Sequence, residues 1–508
     1  MLSCTQSPSM RRFCSFFLFA LALAAAPPPE AADWIWSGKY VITEDARGRV
    51  IQNGAVAIRG GGILAVGTKA EIDARFQARR RLDRPEAILA PGLIDAHVHT
   101  HLGLFRGEAQ DIPESEWMIN AVAPLASHLT EESAVKSAKL IVLEGLKAGT
   151  TLFNDFGPFV YSTAGQVYTK LGVRANLAST ITESSPAAAG MAHERGLYKF
   201  NPDIGERTLN DNLRLVDKWQ NSAGGRITCS LGPLAADMMS EQLLRRVKEI
   251  AVKRKLLMHF HLAQGARESA QIKGRYGMST VRFLDRLGFL CPNLMGVHCH
   301  GATSSELSLI ANRKVRMISC PSAIAIIDGV VSPVWEFLAA GGYSAALGSD
   351  QVCGNNSCNM FTEMRMAALL NKVRSHDPTA LPAWRALRLA TIDAARTLGL
   401  EEKVGSIEKG KRADLIIVNL RTPQTTPILA TPVRNIVPNL VYSARGSEVE
   451  TVIVEGRILM ENQIVLTTNE NKVIEEAQKA AQRLASKVAV NTIEATHRPQ
   501  QTRKRIKG

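Results

Sequence analysis

The chain is 508 residues long, 45% hydrophobic and carries a formal charge of +14 at pH 7. That apolar share supplies ample material for a core, and the length exceeds one typical domain. The positive balance is uneven: Arg498, Arg503, Lys504, Arg505 and Lys507 sit in the last 11 residues with no acid among them. Such a run is a solvated tail, so the charge argues for no nucleic-acid partner, and no nucleic-acid-binding module or short internal repeat is present.

In chain order, Arg11-Arg12 precede an apolar stretch over 13–26, and small residues follow. Basic, then apolar, then small is the layout of a secretory signal peptide, here over 1–32. The stretch is shorter than the roughly 20 residues of a membrane span. The expectation is a secreted or periplasmic protein without stable membrane insertion, or a cytoplasmic one if the start codon is mis-called; an uncleaved anchor is the alternative. Residues 33–86 read as short strands with glycine turns (39–43, 54–58, 60–67), and 404–465 read likewise (414–418, 449–457). Neither stretch makes a core alone, so both ends of the chain are expected to build one small composite β-sandwich domain. Between them, 87–403 alternates apolar strand-like runs with helical runs such as 131–147, 240–254 and 280–287. That is the pattern of a parallel βα sheet, and its size suits an α/β fold of the (β/α)8 TIM-barrel type. Residues 473–488 read as an amphipathic helix on the barrel's outside, within a closing 466–508 segment of helix and basic tail.

The most informative motif is His97-Val98-His99 in Ala-Pro-Gly-Leu-Ile-Asp-Ala-His-Val-His, residues 90–99. The run 87–94 reads as a buried strand, and histidines two apart on a strand point to one face. Two imidazoles there can grip a zinc-type ion, although an isolated pair is equally read as packed core histidines. Only 11 histidines occur in the chain, yet His97, His99, His259, His261, His298 and His300 all end strand-like runs. The run 345–350 ends the same way in Asp350. Repeated strand-end ligands are what a parallel barrel requires, because its chemistry sits at the C-terminal ends of the strands. The cysteines outside the leader, Cys229, Cys291, Cys299, Cys320, Cys353 and Cys358, show no disulfide framework. Cys229, Cys299 and Cys320 read as small buried apolar residues.

These motifs, together with Leu-Phe-Arg-Gly at 104–107, Ala-Gly-Thr-Thr at 148–151, His-Leu-Ala at 261–263, His298-Cys299, Leu-Gly-Ser-Asp at 347–350, Asn-Met-Phe-Thr-Glu-Met-Arg at 359–365 and the stretch 405–415, resemble the amidohydrolase superfamily. The resemblance spans about residues 33–465. It is to the branch holding methylthioadenosine/S-adenosylhomocysteine deaminases, cytosine and guanine deaminases and triazine hydrolases. It implies that His97, His99, His261 and Asp350 hold one divalent ion, Zn2+ or alternatively Fe2+, while His298 and Asp350 flank its water. A bound zinc-type ion lowers the pKa of water from about 15.7 to about 7, Asp350 can accept the water proton, and His298 can orient the attacked group. It also implies a small-molecule substrate and a homodimer, the assembly common among such relatives.

Three departures stand out. Gln264 occupies the place of a deaminase glutamate, and an amide moves no proton at useful pKa, although it can hydrogen-bond a substrate. Leu234 stands where adenosine-type deaminases carry a substrate-contacting histidine, which points to a less polar substrate. Residues 319–324 replace a polar pocket-facing segment. No lysine lies on 226–230, where binuclear relatives bridge two metals, so one ion is expected. Arg106 is expected to meet a substrate oxygen or equally to pair with an acid on the next helix, and Glu268 to face solvent from a helix. Trp117 is read as loop packing. Asn355 follows Asp350 in a Gly/Asn-rich turn and is taken as a substrate contact, against ordinary turn chemistry. The expected activity is hydrolytic deamination of an amino-substituted nitrogen heterocycle. The alternatives are hydrolysis of a cyclic amide or other C–N bond with Asp350 alone shuttling protons, or a catalytically impaired barrel that binds a small molecule.

Overall fold

The structure is a computed structural model and describes residues 28–487, apart from 109, 113–116, 118–121 and 185–195. The basic-then-apolar run before residue 28 and the basic tail after 487 lie outside the described residues.

Four N-terminal strands, β1 (Glu30–Ile42), β2 (Val50–Arg59), β3 (Gly62–Thr68) and β4 (Phe76–Pro91), are followed by eight barrel strands. These are β5 (Leu93–Val98), β6 (Thr150–Phe156), β7 (Arg174–Ala178), β8 (Ile227–Cys229), β9 (Met258–Leu262), β10 (Leu294–His298), β11 (Arg316–Ser319) and β12 (Ser344–Leu347). The C-terminal part adds β13 (Leu415–Asn419), β14 (Val449–Val454), β15 (Arg457–Glu461) and β16 (Ile464–Val465).

β5 to β8 pair in parallel, as do β9 to β12. Parallel bridges Leu231↔Met258, Ala235↔His261 and Val98↔Asp350 join the two sets into a closed barrel. The strands read as near-continuous apolar runs because both of their faces are covered. Helices between them carry ordinary start signals. In the helix Glu131–Lys147, Thr130 and Ser133 cap each other reciprocally, and its apolar side packs inward.

Both chain ends share one continuous eight-stranded sheet, in the order β16-β15-β14-β13-β4-β1-β2-β3, in place of two separately bonded sheets. Antiparallel pairing of β4 with β13, Ala87 opposite Asn419 and Pro91 opposite Leu415, splices the ends together. Two boundaries differ from the sequence reading. The apolar run 87–90 belongs to this sheet, and Gly92 breaks it from the histidine strand that starts at Leu93, where a Cβ on Gly92 would lie 2.2 Å from the Thr151 hydroxyl oxygen. Residues 30–32, read as leader, are strand, with Ala32 buried. The helix Glu470–Ala485 lays Val473, Ala477, Ala480 and Leu484 inward, against Glu131–Lys147 on the barrel's outside.

Candidate metal centre and active site

His97 lies on β5 and His99 just beyond it, one pleat repeat apart, with ring centres 4.6 Å from each other. β9 brings His261 to 5.0 Å from the His97 ring and 5.5 Å from that of His99. β10 ends in His298, and Asp350 follows β12. One Asp350 carboxylate oxygen, Oδ1, is 3.3 Å from His97 Nε2 and 3.4 Å from His99 Nε2, while Oδ2 is 3.8 Å from His298 Nε2. The ligand atoms of His97, His99 and Asp350 all lie within 4.8 Å of one another, as do those of His97, His261 and His298.

The hydrogen bonds behind these rings fit a metal. His99 Nδ1 donates to the Phe156 carbonyl at 2.8 Å and His261 Nδ1 to the Leu234 carbonyl at 2.9 Å. That fixes the tautomer and leaves each Nε2 lone pair directed inward. His97 Nδ1 is 2.7 Å from His259 Nε2, and His97 Nε2 is buried without a hydrogen-bond partner among the described residues. Burial holds His97 and His298 well below the usual histidine range and His99 down to about 3. All three are therefore neutral donors near pH 7. Burial lifts the Asp350 carboxyl, and the neighbouring His99 and His261 oppose that rise. Three imidazole nitrogens and one carboxylate oxygen form a donor set for a divalent ion of the zinc type.

The site is braced through its backbone. His298 and Asp350 adopt left-handed φ values of 77° and 63°, a conformation that costs a non-glycine residue about 1–3 kcal/mol. Asp350 N donates to the His97 carbonyl at 2.8 Å. Buried Asp95 accepts from Ser349 N at 3.0 Å and from the Ser349 hydroxyl. Glu363, also buried, accepts from Asn355 at 2.9 Å and from Ser322 N at 3.2 Å.

Several residues fall elsewhere than the sequence suggested. Arg106 takes one of its two expected readings, pairing with an acid on the next helix: it forms an ion pair with Glu144 on the helix Glu131–Lys147 and donates to the Asn356 carbonyl at 2.6 Å. Asn355 donates to the Ser349 carbonyl at 2.7 Å and to Glu363, which makes it a brace behind Asp350 instead of a substrate contact. Glu268 is fully buried, not solvent-facing; it accepts from Gln264 N at 2.8 Å, and burial followed by the nearby Asp237 charge pushes it up to about 8. Leu234 packs with Tyr198 and Met238 and lends its carbonyl to His261. Half-buried Gln264 directly follows the β9 turn. Trp117 packs against Phe105 and Leu125.

Four residues enter the site that the sequence did not single out for these roles. His259 and Asp95 sit behind the ligands. Cys320, which reads as packing, has its sulfur within 4.8 Å of ligand atoms of His298 and Asp350. Asp328 faces His300 at 3.7 Å. The strand-end position of His259 was the one available signal; the others depend on loop paths that no local pattern encodes.

The amidohydrolase family model matches residues 88–459. A 5'-deoxyadenosine deaminase of Methanosarcina mazei is 35% identical over 458 residues, 90% of this chain and 99% of that protein. A 5-methylthioadenosine/S-adenosylhomocysteine deaminase of Moorella thermoacetica is 35% identical over 432 residues, 85% and 95% of the two chains. The crystal structure of an adenosine deaminase from Xanthomonas campestris with bound zinc superposes with a TM-score of 0.82 at 30% identity, covering 90% of this chain and 100% of that one. The matched residues take in every barrel strand together with β13 and β14 of the composite sheet, and the identities hold along nearly the whole of each relative: the chain belongs to the amidohydrolase family.

Proposed function

We propose that this enzyme removes the exocyclic amine of a 6-aminopurine nucleoside whose 5′ position carries a small, weakly polar group. The chain is a metal-dependent hydrolase of carbon–nitrogen bonds, a hydrolytic aminohydrolase acting on an amino-substituted nitrogen heterocycle. The nucleoside class rests on the relatives, named for 5'-deoxyadenosine and for 5-methylthioadenosine/S-adenosylhomocysteine. Leu234, which packs with Tyr198 and Met238 where adenosine-type deaminases carry a substrate-contacting histidine, supports a weakly polar substituent.

His97, His99, His261 and Asp350 would hold a single ion, Zn2+ by donor type. When bound it supplies water acidic enough to yield hydroxide near neutral pH. Asp350 would accept the proton of the attacking water, and His298, 3.8 Å from Asp350, would orient the attacked ring. Leu234 and Phe156 act through their carbonyls by holding the ligand rings. Gln264 offers the substrate hydrogen bonds but no proton. Arg11-Arg12 ahead of the apolar run support export, and no helix among the described residues is long and apolar enough to cross a membrane.

The observation that carries this reading is the convergence of three neutral imidazoles and one carboxylate from β5, β9 and the end of β12. The test measures ammonia release by the zinc-loaded chain from 5'-deoxyadenosine, methylthioadenosine, adenosine, cytosine, guanine and a triazine, before and after chelation. Fastest release from the 5'-modified adenosines, lost on chelation and regained with zinc, supports it. Release confined to the other bases, or unaffected by chelation, overturns it. Gln264 favours a second reading, cyclic-amide hydrolysis by Asp350 alone, for which a dihydropyrimidine in the same assay is the control.

A further inference from the structure

Deamination by water needs two proton deliveries. The water oxygen bonds to the ring carbon and the bond from that carbon to the amine breaks. One water proton ends on the departing amine, which leaves as ammonia, and the other ends on the adjacent ring nitrogen. Asp350 can carry one of these transfers. Gln264, at the position where a second acid is expected from the resemblance, cannot carry the other.

An acid stands beside that position from a different strand connection. Asp328 follows the short helix Pro321–Ile327 after β11 and lies 3.7 Å from His300 Nε2. Both side chains face inward, 12% and 5% exposed, and neither His300 ring nitrogen has a hydrogen-bond partner among the described residues. The residue after Gln264 is Gly265, with φ +146°. A Cβ there would sit 3.5 Å from Asp328 Oδ1 and 3.8 Å from His300 Nε2. Asp328 and His300 thus lie in van der Waals reach of the residue that follows Gln264. His300 in turn stands next to His298, their ring centres 6.1 Å apart. Asp328 is also close enough for its charge to act on Asp350.

We propose that Asp328, positioned by His300, is the second proton carrier of the reaction and supplies from the β11 loop what Gln264 cannot supply from β9. The proposal rests on the deaminase reading above. Its carboxylate takes up the proton of the hydroxyl added to that carbon and passes it to the ring nitrogen, while Asp350 passes the other water proton to the departing amine. No oxidant or further reactant is required.

The experiment compares wild type, Asp328→Asn, Gln264→Glu and the double variant as full-length zinc-loaded chains, reading kcat and KM for ammonia release together with zinc content. A positioned general acid contributes about 10²–10⁴-fold, so Asp328→Asn should lose at least about 100-fold in kcat with KM and zinc nearly unchanged. In that background Gln264→Glu should restore at least about tenfold, because an acid is returned to the same ring edge. Gln264→Glu alone should not raise kcat, since the proton-carrying role is already filled. The relay is overturned if Asp328→Asn keeps kcat or raises KM alone, or if the double variant is as slow as the single. A large gain from Gln264→Glu alone also overturns it, and that reading does not depend on whether Asp328→Asn folds. A wild-type chain that deaminates no substrate refutes the parent reading, whereas an active wild type with an equally active Asp328→Asn refutes the relay alone.

Discussion

His97 owes its orientation to His259, whose Nε2 lies 2.7 Å from His97 Nδ1. If His97 Nε2 is to offer a lone pair to an ion, Nδ1 must carry the proton and His259 must accept it. Removing such an outer partner typically weakens metal affinity about 10–100-fold. His259→Leu should therefore raise the zinc dissociation constant by that factor in a chelator competition while the barrel still folds, and unchanged affinity would remove His259 from the centre. A second residue-scale consequence is pH dependence. Burial pushes Glu363 up to about 8 against an unfolded value of 4.5. Because the folded pKa is the higher one, the native state binds the extra proton. Its stabilising contribution is complete below 4.5 and falls away as the pH rises to 8, by at most about 1.4 kcal/mol per pH unit. Melting temperature should decline over that window, and Glu363→Gln should flatten the decline; an identical slope would assign it to other groups. The ligand histidines were legible in the sequence because a strand's two-residue repeat is local. Glu268 and Asn355 were not, and Arg106 was legible only as one of two equal readings. Their surroundings are set by Gln264 N, Glu144 and Glu363, and only packing decides which of several nearby polar groups each one meets.

At the scale of elements, the centre depends on β5 and β12 meeting to close the barrel. Their contact is unusually tight at Gly348, where a Cβ would come within 2.7 Å of His97 N and 2.8 Å of His97 Cβ. The obstacles include backbone, which cannot rotate away as a flexible side chain would. Gly348→Ala must push the loop carrying Asp350 away from the strand carrying His97. Overpacking of this kind costs about 1–3 kcal/mol in stability, and a shift of even one ångström separates the carboxylate from the imidazoles. The expected outcome is a chain that folds, melts lower and retains less than stoichiometric zinc. Full zinc occupancy with normal activity would mean that the two strands are less closely coupled than these distances imply. The barrel was readable from the alternation of apolar runs and helices. What could not be read was where β4 ends and β5 begins. Both are apolar, and the glycine between them answers to the side chain of Thr151 on the neighbouring β6, which leaves no room for a Cβ at residue 92.

For the molecule as a whole, the question is what fastens the composite sheet to the barrel. Arg174 opens β7, is 2% exposed, and reaches out of the barrel to the sheet. Its guanidinium donates to Asp414 at 2.8 and 3.0 Å and to Glu455 at 2.6 Å, and Glu455 is shared with Arg412. Asp414 immediately precedes β13, and Glu455 follows β14, so one side chain ties a barrel strand to two strands from the far end of the sequence. The link was invisible in the sequence because its partners lie 240 and 281 residues away. A buried charge network of this kind gives little net stability compared with apolar packing, yet removing one partner leaves the others buried and uncompensated, at about 3–5 kcal/mol. Arg174→Ala strands the Asp414 carboxylate, 4% exposed, without its main cation. Denaturant unfolding of that variant should lose a comparable amount, whereas Arg174→Met paired with Asp414→Leu should recover much of it. Because the network sits at the β7 start, away from the strand ends that carry the histidines, kcat of the folded fraction should stay near wild type. A deep loss of kcat with stability intact would instead mean that the sheet helps to shape the metal centre.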